Sequence, residues 1–147
     1  METDHTVVSG ETVEEVLREL GQYAIERGYA TEGYVEAVFD READFPTGLS
    51  IPTVPFDIAI PHADPEHVTD EAVVLALPDD PIPFRDMDDP DDTVEAGVVM
   101  LLLAGESEGY TAFLSNLANL FQNPSFADAV RTNDPERILE LVDEECL

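Results

Sequence analysis

His62 directly follows the apolar run Phe56-Asp57-Ile58-Ala59-Ile60 and a proline, Pro61, that stops it, so an imidazole stands at the end of a strand. Imidazole is neutral yet readily protonated near pH 7, and at such a place it can act as a nucleophile, a proton carrier or a metal ligand. The stretch His62-Ala63-Asp64-Pro65-Glu66-His67 packs two imidazoles and two carboxylates together, which raises zinc or another transition metal. The spacing argues against it. There is no helical His-Glu-x-x-His, Pro65 interrupts any helix, and the one cysteine, Cys146, lies at the far end of the chain. Cys146 sits beside Glu144 and Glu145, which disfavours a thiolate, and it reads as incidental.

No mid-chain cysteine is present, so a cysteine hydrolase lacks its nucleophile. A P-loop and a Gly-x-Gly-x-x-Gly turn are missing too, which removes support for nucleotide-fed chemistry. Histidine itself can be the covalent nucleophile, one ring nitrogen attacking a phosphoryl group while a hydrogen bond to the other fixes the tautomer. From the residues alone a plainer reading stays open beside it: a half-buried strand-end histidine that only bonds a backbone carbonyl. Between Pro78 and Thr93, seven Asp include Asp86-Met87-Asp88-Asp89-Pro90-Asp91-Asp92, which invites a calcium loop. The EF-hand pattern fails there, with Pro90 at its fifth position, Asp91 in place of its turn glycine and Gly97 in place of its closing Glu. A solvated acidic connection is the expectation.

The elements that must position His62 can be read from periodicity. Thr12 and Glu15 form a capping-box pattern ahead of Val13, Val16, Leu17, Leu20 and Ala24, a first helix that Gly28 ends. Thr31 is the expected cap of a second helix with Tyr34, Val35, Val38 and Phe39 as its buried stripe. Arg41 and Glu42 fall near its C-terminal end, where the helix dipole favours Arg41 without any active site. Residues 45–55 contain three prolines and read as an unpaired loop delivering the chain to the His62 strand. The near-continuous apolar runs 72–77 and 96–104 suit interior strands covered on both faces. Three helices follow: one after Gly109 that Asn123-Pro124 terminates, a short one over 125–132, and a last one capped by Asp134 with Pro135 at its first position. The class is α/β or α+β, a small mixed sheet flanked by helices on both faces, in a single domain over 1–147.

The 6 Arg, with no Lys, against 34 acidic residues give 6 − 34 = −28. Apolar periodicity argues for a folded chain, with disorder confined to the ends. So acidic a surface suits very high salt, where self-repulsion is screened, and the expectation is a halophile's cytoplasmic protein whose fold weakens as salt is lowered. A nucleic-acid partner is excluded by the lack of a basic stripe. The longest apolar run is strand-sized, so no membrane insertion is expected, and the acidic start lacks a signal-peptide layout.

Arg41-Glu42, then Pro46-Thr47-Gly48-Leu49, then Ile58-Ala59-Ile60-Pro61-His62-Ala63-Asp64 with Glu66-His67-Val68, resembles the enzyme IIA component of the phosphoenolpyruvate-dependent sugar phosphotransferase system. The similarity is to the fructose, mannitol and galactitol group, the galactitol-like members above all, and runs from about Thr12 to Val142 through Pro81-Ile82-Pro83-Phe84, Val98–Leu103 and Phe113-Leu114-x-x-Leu117. The resemblance implies that His62 takes a phosphoryl group from the phosphohistidine of the carrier protein HPr and passes it to a cysteine of enzyme IIB, with no cofactor. It implies that Arg41 stabilises the phosphoryl group and that Thr47 is a hydroxyl donor in the same loop. Many fructose and mannitol members carry a second histidine where this chain has Tyr110, and His67, expected as a surface residue, does not align with it. A regulatory relative that feeds no transporter, or an interaction or metal-binding domain of the same fold, are the alternatives.

Overall fold

The computed structural model describes residues 1–51, 55–104 and 109–147. Its strands are β1 (Glu2–His5), β2 (Gly48–Ser50), β3 (Asp57–Ala59), β4 (Ala72–Ala76), β5 (Ile82–Arg85) and β6 (Thr93–Leu103). Its helices are α1 (Val13–Glu26), α2 (Tyr34–Asp44), α3 (Tyr110–Phe121), α4 (Pro124–Arg131) and α5 (Pro135–Cys146). The sheet runs β1-β4-β6-β3-β2, with β5 also paired to β6. Pairing is parallel for β1–β4 and β3–β6 and antiparallel for the rest, so the sheet is mixed.

Side chains alternate across a strand, and here both faces are apolar. Val99, Leu101 and Leu103 of β6, with Val74 of β4, pack under Leu17 and Leu20 of α1 and Val38 of α2. Val98, Met100 and Leu102, with Val73 and Leu75, face Leu117 and Phe121 of α3, Phe126 of α4 and Ile138 and Val142 of α5. Each such fully buried aliphatic side chain contributes roughly 1.5–3 kcal/mol. The long β6 is thus the spine between two cores.

Caps fall where the sequence puts them at three helix starts or ends, and Asn123, read only as the stop of α3, caps α4 as well. The Thr12 hydroxyl accepts the Glu15 N–H, Asn123 accepts that of Ser125 and Asp134 that of Arg137. Gly28, just beyond α1, takes φ +83°, a left-handed conformation that needs no side chain to avoid strain. Thr31 does not cap α2 with its side chain. Its carbonyl accepts the Tyr34 N–H while its hydroxyl turns to His67.

Three strands depart from expectation. The N-terminus is ordered as β1, a polar strand that pairs along the buried β4. Gly48-Leu49-Ser50 pairs with β3 because no proline falls inside it and its N–H groups remain free to bond; residues 52–54 lie outside the described residues. The acidic connection holds β5, in which Ile82 and Phe84 are buried while Pro83 and Arg85 face out. Pro83 is tolerated there because an edge strand need not donate on its outer side.

Candidate functional site

His62 sits past the end of β3, where Pro61 stops the strand but leaves its carbonyl free to accept the Leu102 N–H at 3.0 Å. That bridge to β6 fixes the backbone beneath the imidazole. The ring Nδ1 lies 2.9 Å from the Ile60 carbonyl. A carbonyl only accepts, so Nδ1 carries the proton and Nε2 keeps its lone pair. Burial lowers the His62 pKa; the Ile60 carbonyl pulls the other way, the Arg41 charge adds to the lowering and Asp64 opposes it. The net direction is down, so the ring is neutral at pH 7. A half-buried neutral imidazole with its Nε2 unprotonated is equipped for nucleophilic attack.

Arg41 arrives from the last turn of α2. Its guanidinium carbon stands 4.5 Å from the centroid of the exposed Phe45 ring, and Nη1 is 3.5 Å from Asp64 Oδ1, two residues beyond His62. The Asp64 side chain is 75% exposed, so this contact is solvent-screened and weak. Arg41 Nε is buried with no partner among the described residues. The arginine therefore brings its charge to His62 with bonding capacity unused. Tyr110, the first residue of α3, is half-buried near the same charge: burial pushes its phenol up and Arg41 opposes. Residues 105–108, which precede this helix, lie outside the described residues.

The structure places the Arg41 charge within electrostatic reach of His62 and turns Thr47 elsewhere. Thr47 is 2% exposed, and its hydroxyl donates to the Glu42 carboxylate, 2.8 Å from Oε2 and 3.0 Å from Oε1. The hydroxyl expected to face a phosphoryl group is therefore engaged inside the fold. His67 is likewise not a free surface residue. Its Nδ1 is 3.2 Å from the Thr31 hydroxyl and its Nε2 3.5 Å from Glu66, and the ring lies so close to Gly33 that a Cβ there would come within 2.6 Å of Cε1. It joins the α1–α2 turn to the short 3-10 turn Pro65–His67. Arg41, Phe45, Asp64, Glu66 and His67 line a cleft of about 450 Å³ beside the site.

Two residues near this site went unassigned by sequence. Glu42 carries a buried carboxylate, and Tyr34 is fully buried with a hydroxyl that has no partner among the described residues. Glu42 had a signal, its place beside Arg41 and five residues before Thr47. Tyr34 had none, since an apolar stripe accounts for it. Cys146 is buried at the end of α5, and burial, then Glu145, pushes its thiol up to about 11, which keeps it protonated and unreactive. Among the described residues no three His, Cys, Asp or Glu side chains converge to hold a metal ion, and no helix is long and apolar enough to cross a membrane.

The family model for the phosphoenolpyruvate-dependent sugar phosphotransferase system, EIIA 2, matches residues 3–145. The galactitol-specific EIIA component of that system from Escherichia coli strain K12 is 29% identical over 118 residues, 80% of this chain and 77% of that protein. The solved complex of enzyme IIAMtl and phosphorylated enzyme IIBMtl from Escherichia coli superposes with a TM-score of 0.72 at 25% identity, covering 96% of this chain and 94% of that one. The crystal structure of IIA mannitol from Escherichia coli gives 0.67 at 26% identity, covering 95% and 94%.

Proposed function

The chain belongs to the EIIA 2 family of the phosphoenolpyruvate-dependent sugar phosphotransferase system, and from that membership we propose that it is a phosphohistidine carrier working through His62 Nε2. The observation that carries this reading is the Nδ1–H bond to the Ile60 carbonyl, which leaves Nε2 unprotonated at the end of a strand.

The donor is the phosphohistidine of an HPr-like carrier. His62 Nε2 attacks its phosphorus in line as the donor's P–N bond breaks, and a new P–N bond forms. No proton has to move. The positive charge that develops on the His62 ring is spread to Nδ1–H, where the Ile60 carbonyl stabilises it. Arg41 meets the charge on the transferring phosphoryl oxygens with its guanidinium, whose Nη1 is only weakly held by the exposed Asp64. Phosphoryl transfer asks little beyond positioning and such charge stabilisation. A cysteine thiolate of an enzyme IIB partner then attacks the same phosphorus from the other side, and His62 leaves in the tautomer in which it began. The solved complex pairs a relative with phosphorylated enzyme IIB, which supports this direction of transfer. The exchange belongs in the cytoplasm, where these partners meet.

Thr47 contributes through the loop it anchors, since its hydroxyl is engaged with Glu42. Incubation of the pure protein with phosphorylated HPr in molar salt, chosen for the net charge of −28, tests the reading. Wild type is expected to gain acid-labile phosphate and His62→Ala none; no label on wild type, or undiminished label on the variant, sinks it.

A further inference from the structure

Glu42 and Thr47 are both buried, and they bond to each other. Among the acidic side chains of the described residues, Glu42, 7% exposed, is the one that is buried. Enclosing a carboxylate costs several kcal/mol before its hydrogen bonds are counted, and an apolar pair of similar volume would pack there at lower cost. Something other than stability must account for it.

The bonds around Glu42 lead to both working residues of the site. The Thr47 N–H lies 3.1 Å from Glu42 Oε1 and the Thr47 hydroxyl 2.8 Å from Oε2, so both carboxylate oxygens hold the same residue. The Thr47 carbonyl accepts the Ile60 N–H at 3.2 Å. Ile60 in turn presents the carbonyl that fixes His62 Nδ1–H. On its other side Glu42 follows Arg41 in the last turn of α2. Arg41 stands on α2 and His62 past β3, and Glu42 with Thr47 ties the end of α2 to the end of β3. We propose that Glu42 is a positioning residue that holds Arg41 against His62 and keeps the imidazole in its reactive tautomer; this rests on the phosphocarrier reading above.

The groups facing the carboxylate decide how it responds to pH. Arg85 of β5 acts on it with its charge while bonding the Ala43 carbonyl. Glu14 of α1 and Asp40 of α2 line the cleft of about 750 Å³ onto which Glu42 opens. Burial pushes the carboxyl up to about 7 against the opposing Thr47 bonds and the Arg85 charge. Protonation removes one acceptor from the Thr47 pair and loosens the tie.

The test reads the tautomer and the transfer rate separately, in wild type, Glu42→Gln, Glu42→Ala and Thr47→Val. Ring 15N shifts of His62 report the tautomer without any phosphorylation. Glu42→Ala and Thr47→Val are expected to mix the two tautomers and to slow transfer from phosphorylated HPr by about 10-fold, the scale of a small misplacement of a reacting group. Wild type is expected to lose rate as pH falls through about 7. Glu42→Gln, which keeps the shape and one acceptor, is expected to lose that step while retaining its melting temperature. Unchanged His62 shifts in all three variants, or the same pH step in Glu42→Gln, overturns the proposal. If Glu42→Ala fails to fold, Glu42→Gln and Thr47→Val decide. If wild type takes no phosphate at all, the phosphocarrier reading falls, and the 15N shifts still judge the tie.

Discussion

Two arginines of this chain stand in nearly the same company and are used differently. Arg27, just past α1, has its guanidinium 5.8 Å over the Tyr23 ring and its Nε 3.3 Å from Asp4. Arg41 stacks 4.5 Å over Phe45 and reaches Asp64 at 3.5 Å. The carboxylates make the difference. Asp4 also accepts the hydroxyls of Tyr23 at 3.0 Å and Tyr29 at 2.9 Å and the His5 N–H, and its side chain is 16% exposed against 75% for Asp64. Around Asp4 the donors and acceptors are matched within the fold, which joins β1 to α1. Around Arg41 a buried N–H has no partner among the described residues, and its carboxylate is in solvent. A saturated cluster holds structure, while an open one is ready for a ligand.

The largest expected effect breaks the comparison on its open side. Arg41→Ala should slow phosphoryl transfer to His62 by about 100-fold, the scale of losing a charge-stabilising donor, and leave the melting temperature almost unchanged because its ion pair with Asp64 is solvent-screened. Rate and melting curve measured on the same samples check this. Equal losses in both would make Arg41 a structural arginine like those elsewhere.

What could be read in the sequence follows the same division. Helices announced themselves by local chemistry, as Thr12 and Asp134 show, because a cap is a contact between near neighbours. His62 was legible from the proline that stops its strand, and Arg41 from the motif pattern around it. β1 was not, since Glu2-Thr3-Asp4-His5 has no apolar alternation and owes its strand to β4, seventy residues on. β5 was hidden among aspartates although Ile82 and Phe84 alternate correctly. The direction of the Thr47 hydroxyl was hidden for a related reason. Which way a loop hydroxyl turns depends on the carboxylate a helix happens to present, and spacing alone does not carry that.

Of intermediate size is the effect on the saturated side. Asp4→Ala leaves the Tyr23 and Tyr29 hydroxyls without their acceptor, a loss of about 2 kcal/mol, visible as a lower denaturation midpoint with phosphoryl transfer unaffected. A change in transfer rate at unchanged stability would erase the distinction between the two clusters.

Acid should separate the clusters last and most gently. Burial alone would raise the Asp4 carboxyl, yet the Tyr29, Tyr23 and His5 bonds and Arg27 hold it below its ordinary value. Its contribution to stability is therefore present above the unfolded carboxylate value of about 3.9 and is lost only as pH falls through the folded value below that. His62 is lowered too, chiefly by burial. The unfolded chain then takes up its proton first, so stability begins to fall once pH drops below the unfolded histidine value of about 6.5. Glu42 runs the other way across part of this window: its folded value of about 7 favours the fold below the ordinary carboxylate range and withdraws that support as pH rises through 7. Urea melts of His62→Gln in a Glu42→Gln background remove that opposing titration. Relative to the Glu42→Gln parent, the histidine substitution should be less destabilising at pH 5 than at pH 8, and Asp4→Asn should show no such difference until the pH is well below 4. A His62 effect independent of pH would mean that the imidazole is not held neutral by its surroundings, and the contrast between an open and a saturated cluster would have to rest on Arg41 alone.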